Sequence, residues 1–234
     1  MTGTIVYYSH GRGDPLVLDA CRKQIARSGL PIISVTLAPL DFGRNLVLAG
    51  AEPGILTMFR QQLHGLLAGA PGWIWFAEHD VLYHADHWQF EPPSADRFWY
   101  NQNRVQVDVS TGRAVYYRCH QVSALCGPRD LLIAHYEKRI ALVEAFGRYE
   151  RRMGYEPGAP PGRVDDTPSG IWHAEHPNLD LRHDANLTRT RWDVSEFRNK
   201  RTCEGWRELS EIPGWGTITG RCRELLQEVA SCTP

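Results

Sequence analysis

The stretch that most constrains this chain is Pro71–Trp88, where five consecutive apolar residues, Trp73 to Ala77, run straight into Glu78, His79 and Asp80. An apolar run of that length is sufficient for one buried strand. In open α/β sheets ligands collect beyond the carboxyl ends of the strands, where loops turn side chains toward a shared crevice. A carboxylate at such an end holds a hard divalent cation, and the cation holds a phosphate. The plainer alternative makes Asp80 a cap for the next segment and leaves His84, Asp86 and His87 as packing or surface residues.

The residues before this strand build the sheet it would belong to. Thr4 to Ser9 is a β-branched and aromatic run ending in His10, Gly11, Arg12, Gly13, Asp14 and Pro15. This pattern predicts a strand, a loop, and a helix with Asp14 at its N-cap and Pro15 in its first turn. Val17, Cys21 and Ile25 recur at helical spacing, Gly29 and Pro31 end the helix, and Ile32 to Leu37 is the next strand. A βαβ unit of this kind implies a parallel sheet, which brings the first loop to the same edge as Asp80. Arg12 is there to pair with a phosphate, and Gly11 and Gly13 permit a ligand to approach the backbone. Ala38 to Gly54, containing Asp41 and Asn45, is expected to be a loop too long for a mere connector. Ile55, Phe59, Leu63 and Leu66 mark an amphipathic helix before the central strand. The order β-α-β-loop-α-β matches a nucleotide-binding half-sheet over residues 1–90. It lacks both GxGxxG and GxxxxGK[ST], which disfavours NAD enzymes and P-loop kinases.

Beyond residue 90 the acceptor-side half is expected. Val105 to Ser110 and Arg113 to Arg118 predict a hairpin across Thr111 and Gly112, and Pro128 to Arg152 is the longest helical pattern. Gly154 to Gly170 is rich in glycine and proline and carries Asp165 and Asp166. It is either a linker or an acidic loop able to take a proton from an incoming hydroxyl. Leu179 to Leu181 is a short strand leading into Arg182, His183 and Asp184. The tail from Thr190 is basic and aromatic, with Arg191, Trp192, Arg198, Lys200, Arg201, Trp206 and Trp215, and ends in a helix over Arg221 to Val229. Such a tail is suited to close over a diphosphate. No internal repeat and no second domain with its own core is visible, so one domain over residues 1–234 is expected.

Composition narrows the partners only a little. The 234 residues are 42% hydrophobic and 23% charged, ordinary for a globular protein, and the formal charge of −1 provides no general attraction to nucleic acid or anionic membrane. The six cysteines show no CxxC pair, which suits reduced thiols. The N-terminal residues lack the pattern of a signal peptide, and no apolar run approaches the ~20 residues of a membrane helix. A soluble, cytoplasmic protein is expected.

With these residues in place the chain resembles the GT-A class of nucleotide-sugar glycosyltransferases, in particular small members of the family-two type. The resemblance rests on YYSHGRGD, LDFGRN, WFAEHDVLYH, RFWYNQN, the GYEPG to VDD loop, NLDLRHDANLT and WDVSEFRNKR, and covers most of the chain. It implies a single Rossmann-like α/β domain, a mostly parallel central sheet flanked by helices, and a C-terminal closing segment. It also implies Mn²⁺ or Mg²⁺ on an Asp-x-Asp type motif, holding the diphosphate of a donor, a UDP-sugar first among them. Asp80 then takes the metal, Glu78 stands in the position of the first acid, and His183 is the later ligand, with His173 and His176 as rivals and His84 with His87 as an alternative metal pair. The departure is that Glu78, His79, Asp80 is not a literal Asp-x-Asp. The donor contacts implied are Tyr8, Ser9, Arg12, Asp14, Asn45, Arg189 and Arg191. Asp166 or Asp165 is the expected base, with Glu156 behind them. The acceptor stays open, with a glycan and a hydroxymethylated DNA base among the candidates. A nucleotidyltransferase acting on a sugar phosphate, or a non-catalytic sugar- or nucleic-acid-binding module, are the competing readings.

Overall fold

Strand β1 (Gly3–Ser9) forms where β-branched and aromatic residues run unbroken, and every residue after Gly3 is buried. Helix α1 (Pro15–Ala26) starts as expected, with the Asp14 carboxylate accepting from the Leu16 N–H at 2.9 Å and Pro15 in the first turn, where a missing N–H costs nothing. Strand β2 (Ile32–Thr36) pairs parallel with β1, helix α2 (Ile55–Ala68) follows, and the central strand β4 (Trp73–Glu78) pairs parallel with β1 on its other side. The structure, a computed structural model, describes residues 3–159, 164–186, 188–197 and 199–232, those at 200 and 201 by backbone alone.

The expected loop 38–54 contains a short edge strand, β3 (Arg44–Val47), parallel to β2. Nothing in RNLV alternates like a strand. The pairing is secured by tertiary contacts, since the Asn45 side-chain amide donates to the hydroxyls of Ser34 and Thr36, both at 2.9 Å, and its carbonyl accepts from Leu40 N–H.

Beyond β4 the sheet continues through β9 (Leu125–Pro128), β6 (Phe98–Asn101) and β10 (Ser169–Trp172), giving seven strands in the order β10-β6-β9-β4-β1-β2-β3. Among the described residues β9 alone runs against the others, so the central sheet is mostly parallel and the fold is α/β, as expected. Helix α3 (Arg129–Phe146) stops short of Arg152 because Gly147 leaves the helix in the left-handed region, at φ +73°. Helices α2 and α3 cover one face, and α1 covers the other.

A second, five-stranded sheet was not anticipated. Its order is β12-β8-β7-β11-β5, from β5 (Val81–Leu82), β7 (Arg104–Asp108), β8 (Ala114–Tyr116), β11 (Asn178–Arg182) and β12 (Arg207–Leu209). The expected hairpin is β7–β8, and the expected short strand is β11. Val17, Ala20 and Cys21 of α1 pack into this sheet together with Leu226 and Val229 of the terminal helix α4 (Cys222–Ser231). Ile25, on the same α1, packs with Ile5 and Tyr7 of the first sheet. The chain crosses from the first sheet to the second three times, at Glu78 to Val81, Asn101 to Arg104 and Trp172 to Asn178. Among the described residues no helix is long and apolar enough to cross a membrane.

Candidate active site

The first crossing carries the site. Strand β4 ends at Glu78, and the two-residue turn to β5 is His79–Asp80, 8% and 7% exposed. The Asp80 carbonyl accepts from the Leu181 N–H at 2.8 Å, which stitches this turn to β11 and brings the exit of β11 beside it. One donor atom each from His79, Asp80 and His183 then lies within 4.8 Å of the others. His10, leaving the parallel neighbour β1, meets His79 edge to face at 4.7 Å between ring centroids. Gly13 sits at φ +153°, and a Cβ there would stand 3.3 Å from the His183 ring, so glycine both permits the backbone and leaves room for the imidazole.

Three ring nitrogens at this point, the Nε2 atoms of His10, His79 and His183, are buried with no hydrogen-bond partner among the described residues. Buried polar atoms without partners are costly and uncommon, and their convergence beside a carboxylate is the arrangement of a ligand site. Two of the rings, those of His10 and His183, are held toward the neutral form. Burial, then neighbouring His79, pushes His10 down to about 4 against the opposing pull of Asp80, and burial lowers His183 in the same way. Neutral imidazoles are what cation binding requires. The Arg12 N–H donates to His10 Nδ1 at 3.0 Å and the Ala185 N–H to His183 Nδ1 at 3.2 Å. A cation held by His183 through Nε2 would require the ring proton on Nδ1, in place of the long Ala185 contact. Asp80 is oriented by Asn186, whose side-chain N–H donates to Oδ2 at 2.6 Å. Two imidazoles and a carboxylate suit Mn²⁺ better than Mg²⁺, which favours all-oxygen shells.

Glu78 stands outside this group, contrary to expectation. It accepts from the Tyr8 hydroxyl at 2.5 Å while its backbone N–H donates to the Tyr83 hydroxyl at 3.0 Å. Burial first, then Asp80, pushes its carboxyl up to about 8 against the Tyr8 bond. The strand ends at Glu78, so strict alternation no longer pairs it with Asp80, and His79 takes the place expected of the first acid. The suggested His84–His87 pair is likewise separated. His87 is fully buried, stacked on Trp172, with Nδ1 facing the side-chain amides of Asn101 and Asn178, whereas His84 groups with Asp86 and His176. His173 is exposed.

His79 and Asp80 open into a cleft of about 150 Å³ lined by Tyr8, Ser9, Gln61, Glu156, Asp180 and Arg182 together with Glu78, while His183 lines a neighbouring hollow with Asp184 and Arg223. Asp180 is its buried electrostatic anchor, with Arg104 at 3.0 Å, Arg182 at 3.3 Å and Gln121 at 2.8 Å. Burial raises its carboxyl, but Arg182 and Arg104 outweigh burial and hold it below the ordinary range. Glu156 is half-buried on the wall, and burial pushes its carboxyl up.

The remaining expected residues are dispersed. Tyr8 and Ser9 line the cleft, but Arg12 is 69% exposed and 3.8 Å from Glu52. Asp14 caps α1 and pairs with Arg223 at 2.6 Å, and Asn45 fastens β3. Arg189 pairs with Glu196 on the surface, and Arg191 lies over the Phe197 ring. Asp165 is bonded to His135 at 3.1 Å and Asp166 is exposed, and neither lines the cleft. Arg198 and Leu187 of the motifs above lie outside the described residues. Sequence reasoning overlooked His10, His79, Asp180, Arg182 and Asn186 as site residues. The available signal was their position, each within a few residues of the carboxyl end of a strand.

No protein-family profile and no curated protein matches the chain. Among solved structures, a glycosyltransferase involved in the glycosylation of the major capsid of PBCV-1 matches with TM-score 0.46 and 11% identity, over 74% of this chain and 82% of that one. The glycosyltransferase GlyE of Streptococcus pneumoniae TIGR4, in its apo form, matches with TM-score 0.34 and 13% identity, over 62% of this chain and 39% of GlyE.

Proposed function

We propose that this protein is a metal-dependent glycosyltransferase that moves a sugar from a nucleotide-diphosphate sugar, a UDP-sugar first among them, to a hydroxyl acceptor. The observation that carries this reading is the meeting of His79, Asp80 and His183 where the parallel strands end, with buried ring nitrogens that have no partner among the described residues, beside a cleft that His79 and Asp80 line. His79, Asp80 and His183 would hold Mn²⁺, and the chemistry supplied there is neutralisation of charge on the diphosphate as it departs. Arg182, fixed by Asp180 and by the Thr190 hydroxyl at 2.9 Å, presents a guanidinium to the same cleft and takes the clamp role first sought in Arg12, Arg189 and Arg191. The Tyr8–Glu78 pair forms part of the cleft wall beside the metal group. Glu156 is a cleft carboxylate outside the metal group and the ion-pair network and, unlike Glu78, is not tied to the Tyr8 hydroxyl; burial raises its pKa, which makes it the stronger base toward an acceptor hydroxyl. Asp165 is instead engaged with the buried His135 ring at 3.1 Å.

The test is nucleotide release from a panel of nucleotide sugars with Mn²⁺ and with chelator. Release that depends on both one donor and the ion is expected. Metal-dependent donor binding with no release by any acceptor mixture would make the protein a binding module, and pyrophosphate release from a nucleoside triphosphate with a sugar phosphate would make it a nucleotidyltransferase.

A further inference from the structure

We propose that His84, Asp86 and His176 form a second cation site, for an imidazole-preferring ion of the Zn²⁺, Co²⁺ and Ni²⁺ class, which staples the turn after β5 to the loop before β11. One donor atom from each residue lies within 4.8 Å of the others. The donors are two imidazoles and one carboxylate, a set that favours these ions over Mg²⁺ or Ca²⁺. The three side chains are 23%, 20% and 30% exposed, so an ion can enter from solvent.

The carboxylate arranges both rings before any ion arrives. Asp86 Oδ2 accepts from the His176 backbone N–H and from its Nδ1, both at 2.8 Å, and Oδ1 meets His84 Nδ1. The atoms that meet are therefore the two Nδ1 atoms and the carboxylate oxygens, and an ion seated among them would take the Nδ1 lone pairs while each ring carries its proton on Nε2. The rings lie 4.3 Å apart at 36°.

The surroundings fit a staple. Trp215 of the C-terminal tail approaches His84 edge-on at 5.7 Å between ring centroids and donates its indole N–H to the Pro177 carbonyl at 2.7 Å. Gly214, at φ +78°, lies so close to the His176 ring that a Cβ would come within 2.6 Å of it. An ion here ties two segments remote in sequence, around 84–86 and 176, against which Trp215 of the tail packs. The inference does not rest on glycosyl transfer.

The test uses the full chain with Asp80→Ala to silence the cleft group, stripped by chelator and titrated with Co²⁺. One bound equivalent is expected, with visible absorption of nitrogen- and oxygen-ligated cobalt and no thiolate charge-transfer band, accompanied by a rise in Tm. Adding His176→Gln removes the bound equivalent and the rise in Tm. Asp80→Ala protein that binds no Co²⁺, or binding unchanged by both His84→Gln and His176→Gln, overturns the site. Should either variant fail to fold by circular dichroism, wild-type crystals soaked in Co²⁺ decide. An anomalous peak beside His84 and His176 supports the site, and a map without one there overturns it.

Discussion

Two groups of two histidines and one aspartate lie four residues apart along the chain, and they solve the same electrostatic problem in opposite ways. In the group of His84, Asp86 and His176 both histidines bond to the shared carboxylate and all three side chains touch solvent. In the group of His79, Asp80 and His183 the carboxylate bonds to Asn186 instead, and the histidines keep buried nitrogens without partners. The first arrangement is content without a ligand and accepts one as a refinement. The second carries buried polar atoms whose cost a ligand would relieve, which is why the proposed function is placed there rather than at the first.

The comparison is broken most severely through Asp80. Asp80→Ala is expected to lower nucleotide release by roughly 100- to 1,000-fold while leaving the urea midpoint close to wild type, the scale for loss of one preorganised charge-stabilising group. Unchanged turnover would remove Asp80 from the chemistry. Replacing Glu156 by Gln is expected to cost about 100-fold through loss of the proton acceptor, with Asp166→Asn near wild type. The reverse result would return the base to the acidic loop.

Asp86→Ala should show the opposite signature to Asp80→Ala. Three donors lose their acceptor, so stability is expected to fall by about 1–3 kcal/mol in equilibrium unfolding, with nucleotide release within a few-fold of wild type. A further effect appears only in acid. Burial holds the His87 imidazole at about 3 against an ordinary 6.5, so as pH falls the unfolded chain takes up the proton first. The contribution of neutral His87 is complete above about 6.5 and drains as pH falls toward about 3, at up to ~1.4 kcal/mol per pH unit. Urea unfolding at a series of pH values checks this, and His87→Gln should flatten that part of the profile.

Much of the scaffold could be read locally. The α1 cap at Asp14, the apolar spacing of α2, the β7–β8 turn at Gly112 and the buried run of β4 each depend on residues within one element. Strand β3 could not be read, because its pairing depends on Asn45 meeting Ser34 and Thr36 of another strand. Within the site, Asp80 and His183 were legible from their places after strands. His79 was passed over as the spacer between two acids, and Glu78 was given its role, because the resemblance to an Asp-x-Asp motif assigns that role to the first acid, whereas the strand ends at Glu78 and turns it away from Asp80's group.

By itself, then, the sequence determined the α/β class, the parallel start of the sheet and the position of Asp80 at its carboxyl edge, since these follow from hydrophobic period, capping and turn chemistry over short spans. Only the tertiary structure decided which histidines join Asp80, that Asp180 lies between Arg104 and Arg182, and that a second sheet exists at all. Those contacts link residues up to about a hundred positions apart, and they form only when β11 settles in register between β7 and β5. Register of that kind is set by how two layers pack on α1, a property that no short stretch of the chain contains.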